Sequence, residues 1–215
     1  MLDGRLQKHI DSLLKRYAQL ETIEQDIVDA YLVMEECYSH DGKLLIAGNG
    51  GSAADCEHIV GELMKSFKIP RPVTSEYAAR LESVNMEYGR ELAKRLEVGL
   101  AAIPLASHAA LTTAYINDVD GRLVFAQQLL GYGRSGDVFL GISTSGNSAN
   151  ILDATIVARA SGIKIIGLTG ADGGRLAKIS DVAVKVPAAE PYLIQELHMP
   201  VYHCWCLMLE EKFFG

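Results

Sequence analysis

The sequence predicts an α/β fold in which helices cover both faces of a parallel β-sheet. Short apolar runs, typical of buried strands, alternate along the chain with longer segments of helical periodicity. A strand, a loop rich in Gly, Ser and Thr, and a helix follow one another at 44–62 and 138–158, and more weakly at 164–177. The 215 residues contain no low-complexity tract and are enough for one such domain.

Residues 1 to about 40 are predicted to form two helices, because apolar residues recur there at helical spacing. The first set is Leu6, Ile10, Leu13, Leu14 and Tyr17, and the second is Ile23, Ile27, Ala30, Tyr31, Val33 and Met34. After a turn at "SHDG", the apolar run "KLLIAG" (43–48) predicts a buried parallel strand. The segment that begins at "NGGSAAD" then predicts a helix through about Phe67.

The middle of the chain opens with two prolines in "KIPRPV", which interrupt the pattern before a charged helical segment from Ser75 to Glu97. "AAIPLAS" is predicted to be the second strand. The elements predicted after it are helices at 109–118 and 122–133, a strand at 137–143, a helix at 149–161, a strand at 163–170, a loop at 171–180, a strand at 181–187 and a helix at 192–214. Pro200 is expected to disturb the first turns of that final helix.

Composition narrows the class of partner. The formal net charge of −7 argues against nucleic-acid binding through a basic surface. An anionic small molecule is still compatible, since backbone N–H groups bind phosphate without net positive charge. No apolar run is long enough to cross a bilayer, and the charged N-terminus is unlike a signal peptide, so we expect a cytoplasmic protein with no membrane partner. The four cysteines lack disulfide or C-x-x-C spacing and are expected to be reduced thiols.

Two loops at the carboxyl ends of predicted strands are candidates for ligand binding. "GNGGSAAD" places Gly50, Gly51 and Ser52 at a helix start, where free N–H groups and the helix dipole favour an anion. "GISTSGNSAN" (141–150) offers hydroxyls and backbone N–H groups that suit a phosphate and several sugar hydroxyls. "GNGGSAAD" fits neither nucleotide fingerprint, G-x-G-x-x-G or G-x-x-x-x-G-K-[ST]. The alternative is that these are tight turns in which the side chain of Ser52 or Asn49, and of Ser148 or Asn147, caps a helix.

Candidates for acid–base or metal chemistry lie on two predicted helices. His58 and Glu62 share a helix face at spacing i, i+4, which by itself is typical of a surface pair. The final helix adds Gln195, Glu196, His198 and His203. Gln195 and His203 are eight residues apart, about 12 Å on an ideal helix, too far for one metal with bonds of about 2 Å. Either the helix is irregular before Pro200, or two chains contribute.

These segments together resemble one protein family. "GNGGSAAD", "HIVGEL", "IND", "GDVFLGISTSGNSAN", "LTGADGG" and "IQELHMPVYH" are similar, in order, to the phosphoheptose isomerases of the sugar-isomerase (SIS) family. The resemblance implies a single SIS domain over 1–215, with a flavodoxin-like three-layer fold and an N-terminal helical region at 1–40. It also implies a homotetramer with sites at chain interfaces. The implied reaction interconverts sedoheptulose 7-phosphate and D-glycero-D-manno-heptose 7-phosphate.

The resemblance also implies roles for particular residues. It places a zinc ion on His58, Glu62, Gln195 and His203, with Glu62 and His203 as the acid–base pair. Substrate contacts are implied at Asn49, Gly50, Gly51, Ser52, Asp118, Ser143, Thr144, Ser145, Ser148 and Gln195, with Thr169 as a weaker candidate. Such residues suit an aldose–ketose isomerisation, in which one base moves a proton between C1 and C2 through an enediolate. His203 cannot be a free base while its lone pair is on zinc, and its role in the reaction stays open.

The chain departs from the family pattern in two places. A helical insertion at about 73–99 separates "HIVGEL" from "IPLAS", and Ser66 stands where the family commonly has an arginine, with Lys65 and Lys68 nearby. The insertion could be a lid, a substrate wall, an oligomer contact or a solvated helix. A different sugar phosphate is therefore an alternative substrate. A non-catalytic SIS protein that binds a sugar phosphate or a replication-initiation partner is the other alternative, although such relatives lack the final histidine present here as His203.

Overall fold

A computed structural model describes residues 2–215 and contains one five-stranded parallel sheet. The strands are β1 (Leu44–Ala47), β2 (Ala102–Pro104), β3 (Val138–Ile142), β4 (Lys164–Thr169) and β5 (Val182–Lys185). Their order across the sheet is β2-β1-β3-β4-β5, and every neighbouring pair is parallel. The three central strands are buried along almost their whole length, as uninterrupted apolar runs predict.

The described residues also form ten α-helices and two short 3₁₀ segments. The helices are α1 (Gly4–Arg16), α2 (Glu24–Ser39), α3 (Gly51–Met64), α4 (Ser75–Val84), α5 (Met86–Arg95), α6 (Ala109–Asp118), α7 (Val124–Tyr132), α8 (Ala149–Ala160), α9 (Gly174–Ile179) and α10 (Pro191–Phe214). The 3₁₀ segments are Ala18–Ile23 and Gly121–Leu123. The α/β fold class predicted from the sequence is thus confirmed.

Two hydrophobic cores lie on opposite faces of the sheet and produce three layers. One core joins α1, α2, α3 and α10 to strand residues such as Ile46 and Leu140, and it includes the single tryptophan, Trp205. The Trp205 indole donates to the Ile27 carbonyl at 2.9 Å and so fixes α10 to α2. The other core packs α7, α8 and α9 against the alternate strand residues, including Phe139. Alternate residues of β1, β3 and β4 therefore serve opposite cores.

Several predicted boundaries were wrong. The predicted loop at 171–180 contains helix α9, and the helix predicted to reach Phe67 ends at Met64. The predicted single helical segment at 75–97 is two helices, which break at Asn85, where the side chain accepts from the backbone N–H of Tyr88 and starts α5. Pro200 lies inside a continuous α10, so the irregular start expected for that helix is not present.

The helical segment at about 73–99, predicted from the sequence to be an insertion, is closed at its base. The Val98 N–H donates to the Arg71 carbonyl at 2.7 Å, and Pro72 and Glu97 form an isolated antiparallel bridge. The Glu97 carboxylate also accepts hydrogen bonds from the backbone N–H and the hydroxyl of Ser66. Between these points, α4 and α5 pack chiefly against each other, and Gly89 is their one buried residue in the structure described. The insertion thus leaves and rejoins the core at one place.

All four cysteines lie within the described residues and are buried and free. Across residues 2–215, no helix has the length and apolar character that crossing a membrane requires.

Candidate functional site

The candidate site lies where the strand order reverses. From β1 the chain crosses over to β2 on one side, whereas from β3 it crosses over to β4 on the other side. The loops that follow β1 and β3 therefore diverge from neighbouring strands and leave a crevice at their carboxyl ends. This is the position at which open α/β sheets bind ligands. Residues Gly48–Gly50 and Ser143–Ser148 form its two walls.

Hydrogen bonds tie the two walls together. The side-chain amides of Asn49 and Asn150 bond reciprocally at 2.9 and 2.8 Å, across the crevice. Inside the second loop, the hydroxyls of Ser143 and Ser148 lie 3.0 Å apart, and Ser143 is buried. Neither Ser148 nor any other side chain caps α8 or α3 from its N-cap position, and the N-cap of α3 is Gly50. The alternative of helix-capping side chains at these N-caps is therefore wrong.

The segment that follows β4 packs against the loop that follows β3. The Gly170 N–H donates to the Thr144 carbonyl at 3.0 Å, and the Leu176 N–H donates to the Gly146 carbonyl at 2.9 Å. Gly146 has φ +63°, and a Cβ added there would lie 2.0 Å from the Gly173 carbonyl oxygen. Only glycine fits this approach, because the contact is with backbone. The loop that carries Ser145 is thus held rigidly.

The start of α3 is packed beside α10. Ser52 is buried in its first turn, and a Cβ on Gly51 would lie 2.6 Å from the Gln195 amide nitrogen. Gly50 has φ +56°, which turns the chain out of β1 into the helix. Gln195 therefore lies at the helix N-terminus predicted to bind an anion, and its amide adds a polar group there.

His58, Glu62 and His203 come together from two helices. The His58 Nε2 atom lies 3.4 Å from the His203 Nε2 atom and 3.4 Å from the Glu62 Oε1 atom. Lys65 Nζ contacts the other carboxylate oxygen of Glu62 at 3.2 Å. Burial lowers the pKa of His203, and the neighbouring His58 lowers it further, while Glu62 opposes both effects. A neutral imidazole is thereby favoured at this position.

Tyr202 and Asp55 also reach His58, which sequence reasoning missed. The Tyr202 hydroxyl lies 3.1 Å from His58 Nδ1 and 3.2 Å from Asp55 Oδ1. Tyr202 is buried, and burial raises its pKa above the ordinary value of 10.0. Asp55, His58 and Glu62 follow one face of α3 at spacings of three and four residues, which was the one available signal.

The spacing of these side chains can be compared with that of ligands around a tetrahedral zinc ion. Ligand atoms at about 2.0–2.1 Å from zinc in tetrahedral geometry are separated by about 3.3–3.4 Å, close to both His58 contacts. However, no cluster of three or more His, Cys, Asp or Glu side chains in the described chain is already arranged as a metal site. Gln195 lies at the start of α3, two turns of a continuous α10 before His203. The donor types of the histidines and Glu62 fit zinc, but Gln195 of the same chain does not join them.

The remaining predicted residues lie apart from this cluster. Asp118 is exposed at the end of α6, where its carboxylate accepts from the Asn117 amide at 2.8 Å. Thr169 is fully buried, and its hydroxyl donates to the Gly170 carbonyl. A groove of about 450 Å³, lined partly by Tyr77, Arg80 and Leu96, lies on the insertion and contains none of the predicted site residues. Within one chain, the crevice loops and the His–Glu cluster are the assembled parts.

Comparisons with known proteins agree with this arrangement. The family model of the SIS domain matches residues 8–95 and 78–170. A phosphoheptose isomerase from Aneurinibacillus thermoaerophilus is 37% identical over 95% of this chain and 88% of its own length. One from Coxiella burnetii (strain RSA 331 / Henzerling II) is 34% identical over 94% of this chain and 90% of its own.

Solved structures show the same relationship. The phosphoheptose isomerase of Neisseria gonorrhoeae superposes with a TM-score of 0.73 and 32% identity, covering 98% of this chain and 100% of that one. That of Francisella tularensis gives a TM-score of 0.75 with 28% identity, covering 96% and 97%. A parallel sheet with crevice loops after β1 and β3, together with these matches, places the chain in the SIS-domain family as a member of the phosphoheptose isomerases.

Proposed function

We propose that this protein is a sugar-phosphate isomerase that interconverts sedoheptulose 7-phosphate and D-glycero-D-manno-heptose 7-phosphate. Membership of the phosphoheptose isomerases supports the reaction. The observation that carries the proposal is the placement of the Glu62 carboxylate beside His58 and His203. A carboxylate can remove a proton from carbon, and a neighbouring imidazole can move a proton on oxygen, which are the two transfers that an aldose–ketose isomerisation needs.

In this mechanism Glu62 removes the proton from the carbon next to the carbonyl and returns it to the adjacent carbon. His203 transfers the proton between the two oxygens of the enediolate, which requires its lone pair to be off the metal during that step. Lys65 holds one oxygen of Glu62 at 3.2 Å and leaves the other facing His58, so the carboxylate is oriented before substrate arrives. Preorganisation of this kind reduces the reorganisation required in the transition state.

His58, Glu62 and His203 would hold a zinc ion, with Gln195 supplied by a neighbouring chain. Bound zinc would polarise the substrate carbonyl and stabilise the negative charge on the enediolate oxygens. The phosphate would bind to the N–H groups and hydroxyls of the crevice loops, from Ser52 at the start of α3 and from Ser143–Ser148.

A homotetramer with sites at chain interfaces completes the proposal. Exposed apolar side chains on α6 (Leu111 and Ile116) and on α10 (Leu193 and Met199) support contacts with other copies. Such contacts would bring Asp118, which is exposed here, to the crevice of another chain. We also propose a cytoplasmic location, which the four free thiols support.

The reaction is tested by proton–deuterium exchange. The zinc-loaded protein is incubated with sedoheptulose 7-phosphate in D₂O, and the C1 and C2 protons are followed by NMR. Exchange with formation of an aldose phosphate is expected. Exchange only with other ketose phosphates would retain the mechanism and replace the heptose. Silence across a panel of ketose phosphates would favour the non-catalytic binding protein.

Two sets of variants separate chemistry from binding. Glu62→Gln should abolish turnover while sugar-phosphate binding stays measurable, since the amide cannot accept the carbon-bound proton. Glu57→Gln is the matched control, because Glu57 lies on the same helix but bonds to Ser107 at 2.6 Å outside the cluster. Ser52→Ala and Ser145→Ala should weaken substrate binding more than turnover. Unchanged affinity in both serine variants would remove the phosphate role from the loops.

A further inference from the structure

The contacts of His58 Nδ1 determine which ring nitrogen carries the proton. Tyr202 places one hydroxyl between His58 Nδ1, at 3.1 Å, and Asp55 Oδ1, at 3.2 Å. An ionised carboxylate only accepts hydrogen bonds, and a phenol has one proton to donate. The hydroxyl proton of Tyr202 is therefore directed to Asp55, and its oxygen is left to accept from His58. That requires the proton of the neutral His58 ring to be on Nδ1.

The opposite nitrogen faces the reacting groups. With the proton on Nδ1, the lone pair of His58 Nε2 points to the side where Glu62 and His203 lie, each 3.4 Å away. The other tautomer would direct an N–H at that point and could not donate a lone pair there. The tautomer thus decides whether His58 can be a ligand in the site.

Tyr202 and Asp55 have few other partners, whereas the opposite edge of the His58 ring faces the Glu62 carboxylate. Tyr202 is 1% exposed, and its ring lies edge-on to the rings of both His58 and His203, at centroid distances of 5.5 and 5.0 Å. The second carboxylate oxygen of Asp55 is buried, and residues 2–215 offer it no hydrogen-bond partner. Asp55 therefore depends on the Tyr202 hydroxyl for its side-chain hydrogen bond in the described structure.

We propose that Tyr202 and Asp55 are positioning residues that fix His58 as the Nδ1–H tautomer and direct its Nε2 lone pair at Glu62 and His203. Partners of this kind, one shell behind a ligand, orient the ring and change metal affinity by about 10- to 100-fold when removed. The consequence for zinc rests on the proposed function, whereas the tautomer itself does not.

The tautomer is measured by ¹⁵N NMR of the metal-free protein labelled at histidine, with His58→Gln used to assign the signals. The wild-type protein should show His58 protonated on Nδ1. In Asp55→Ala the Tyr202 hydroxyl becomes free to donate to Nδ1, so His58 should change to the Nε2–H tautomer. Tyr202→Phe should also lose the Nδ1–H preference. Tyr38→Phe is the control, since it removes a hydroxyl bonded to the Ala101 carbonyl at 3.1 Å in the same core.

Zinc affinity, measured by competition with a chelator, is the second readout. Tyr202→Phe and Asp55→Ala should each weaken zinc binding by about 10- to 100-fold, and Tyr38→Phe should not. A wild-type His58 protonated on Nε2, or an Nδ1–H tautomer that survives in both variants, would overturn the proposal. If the tautomer changes as expected while the wild-type protein binds no zinc, the positioning role stands and the proposed metal site fails. If Tyr202→Phe does not fold, Asp55→Ala still decides the outcome.

Discussion

Glu210 belongs to a buried ion pair that links α10 to the segment after α3, and these two helices carry the His–Glu cluster. Its carboxylate on α10 accepts from the backbone N–H groups of Phe67, Lys68 and Ile69 at 2.7–3.0 Å, and from Arg71 Nε at 2.9 Å. The side chains of Arg71 and Glu210 are 0% and 1% exposed. We predict that Glu210→Gln severely destabilises the protein.

The expected loss of stability follows from the hydrogen bonds that a glutamine side chain cannot accept. Its single oxygen can serve the Phe67 N–H and Arg71, but its NH₂ group would face the N–H groups of Lys68 and Ile69 at the position of Oε2. Removing one charge from a buried pair costs about 3–5 kcal/mol, and each unpaired N–H costs about 1–3 kcal/mol. We expect a loss of about 4 kcal/mol, or a fall in Tm of about 8–16 °C for a chain of this size.

The loss should also affect catalysis, because Arg71 holds the end of α3. Its guanidinium donates to the carbonyls of Leu63, at 2.7 Å, and Glu62, at 3.3 Å. An Arg71 released from Glu210 would no longer fix this helix end. We therefore expect lower turnover in Glu210→Gln even at temperatures where the variant is folded.

Urea unfolding followed by the fluorescence of the single, buried Trp205 measures the loss, at equal protein concentrations. Glu91→Gln is the control, because Glu91 pairs with Lys94 at 2.7 Å in an exposed position where solvent screens the ion pair and its loss changes stability little. A Glu210→Gln variant as stable as this control would refute the reasoning.

At acidic pH, Glu210→Gln and the wild type should approach the same free energy of unfolding. Burial raises the pKa of Glu210, but the bonds from Phe67, Ile69, Arg71 and Lys68 together hold it below the ordinary 4.5. A carboxyl whose pKa is lowered on folding stabilises the protein above its unfolded pKa, and the contribution is lost as the pH falls through the folded value. The stability difference should be constant above about pH 5.5 and shrink below pH 4.5.

Three further predictions concern other parts of the fold. Burial lowers the pKa of His198 to about 4 while the backbone of Thr169 opposes the shift, so the unfolded chain takes up a proton first and the wild type should lose roughly 3 kcal/mol between pH 6.5 and 4. Equilibrium unfolding of His198→Leu should not show this loss of stability between pH 6.5 and 4. If its free energy of unfolding falls with pH as steeply as that of the wild type, the prediction is wrong. Gly146→Ala should lower the free energy of unfolding by more than the ~1–2 kcal/mol expected for an alanine in the left-handed region, because its Cβ would collide with the Gly173 carbonyl. Calorimetry measures the effect, and a variant with the Tm of the wild type would contradict the described loop packing. Replacing residues 73–96 by a short turn should lower Tm by less than about 4 °C, since α4 and α5 pack chiefly on each other, and failure of the shortened chain to fold would show that the insertion supports the core.

The fold class was predictable because it depends on local patterns that the sequence displays. Uninterrupted apolar runs such as Leu44–Ala47 are diagnostic when they alternate with helices. Helix α9 was missed because it begins at two glycines with positive φ, Gly173 and Gly174, and the six-residue helix has little periodicity to detect. Pro200 led to the wrong prediction of an irregular helix start. A helix packed into a core tolerates the loss of the one hydrogen bond that proline cannot donate.

The candidate site was predictable in its loops but not in its supporting contacts. Ser143 and Ser148 stand five residues apart, so their loop could be recognised from sequence. Tyr202 meets His58 across 144 residues, and Arg71 meets Glu210 across 139. No spacing rule links such pairs, because the packing of α3 against α10 brings them together. Because α10 is continuous, Gln195 and His203 of one chain lie about two helical turns apart.

The closure of the insertion at Pro72 and Glu97 has a consequence for how this chain could change in length. A segment whose ends already meet adds only the entropy of a longer loop, about 0.6 kcal/mol for each doubling of its length. Residues can be gained or lost between those two points without altering the path of the backbone on either side. The segment is thus a natural attachment point, where a reporter peptide or a small folded domain can be introduced while Glu62 and His203 keep their positions.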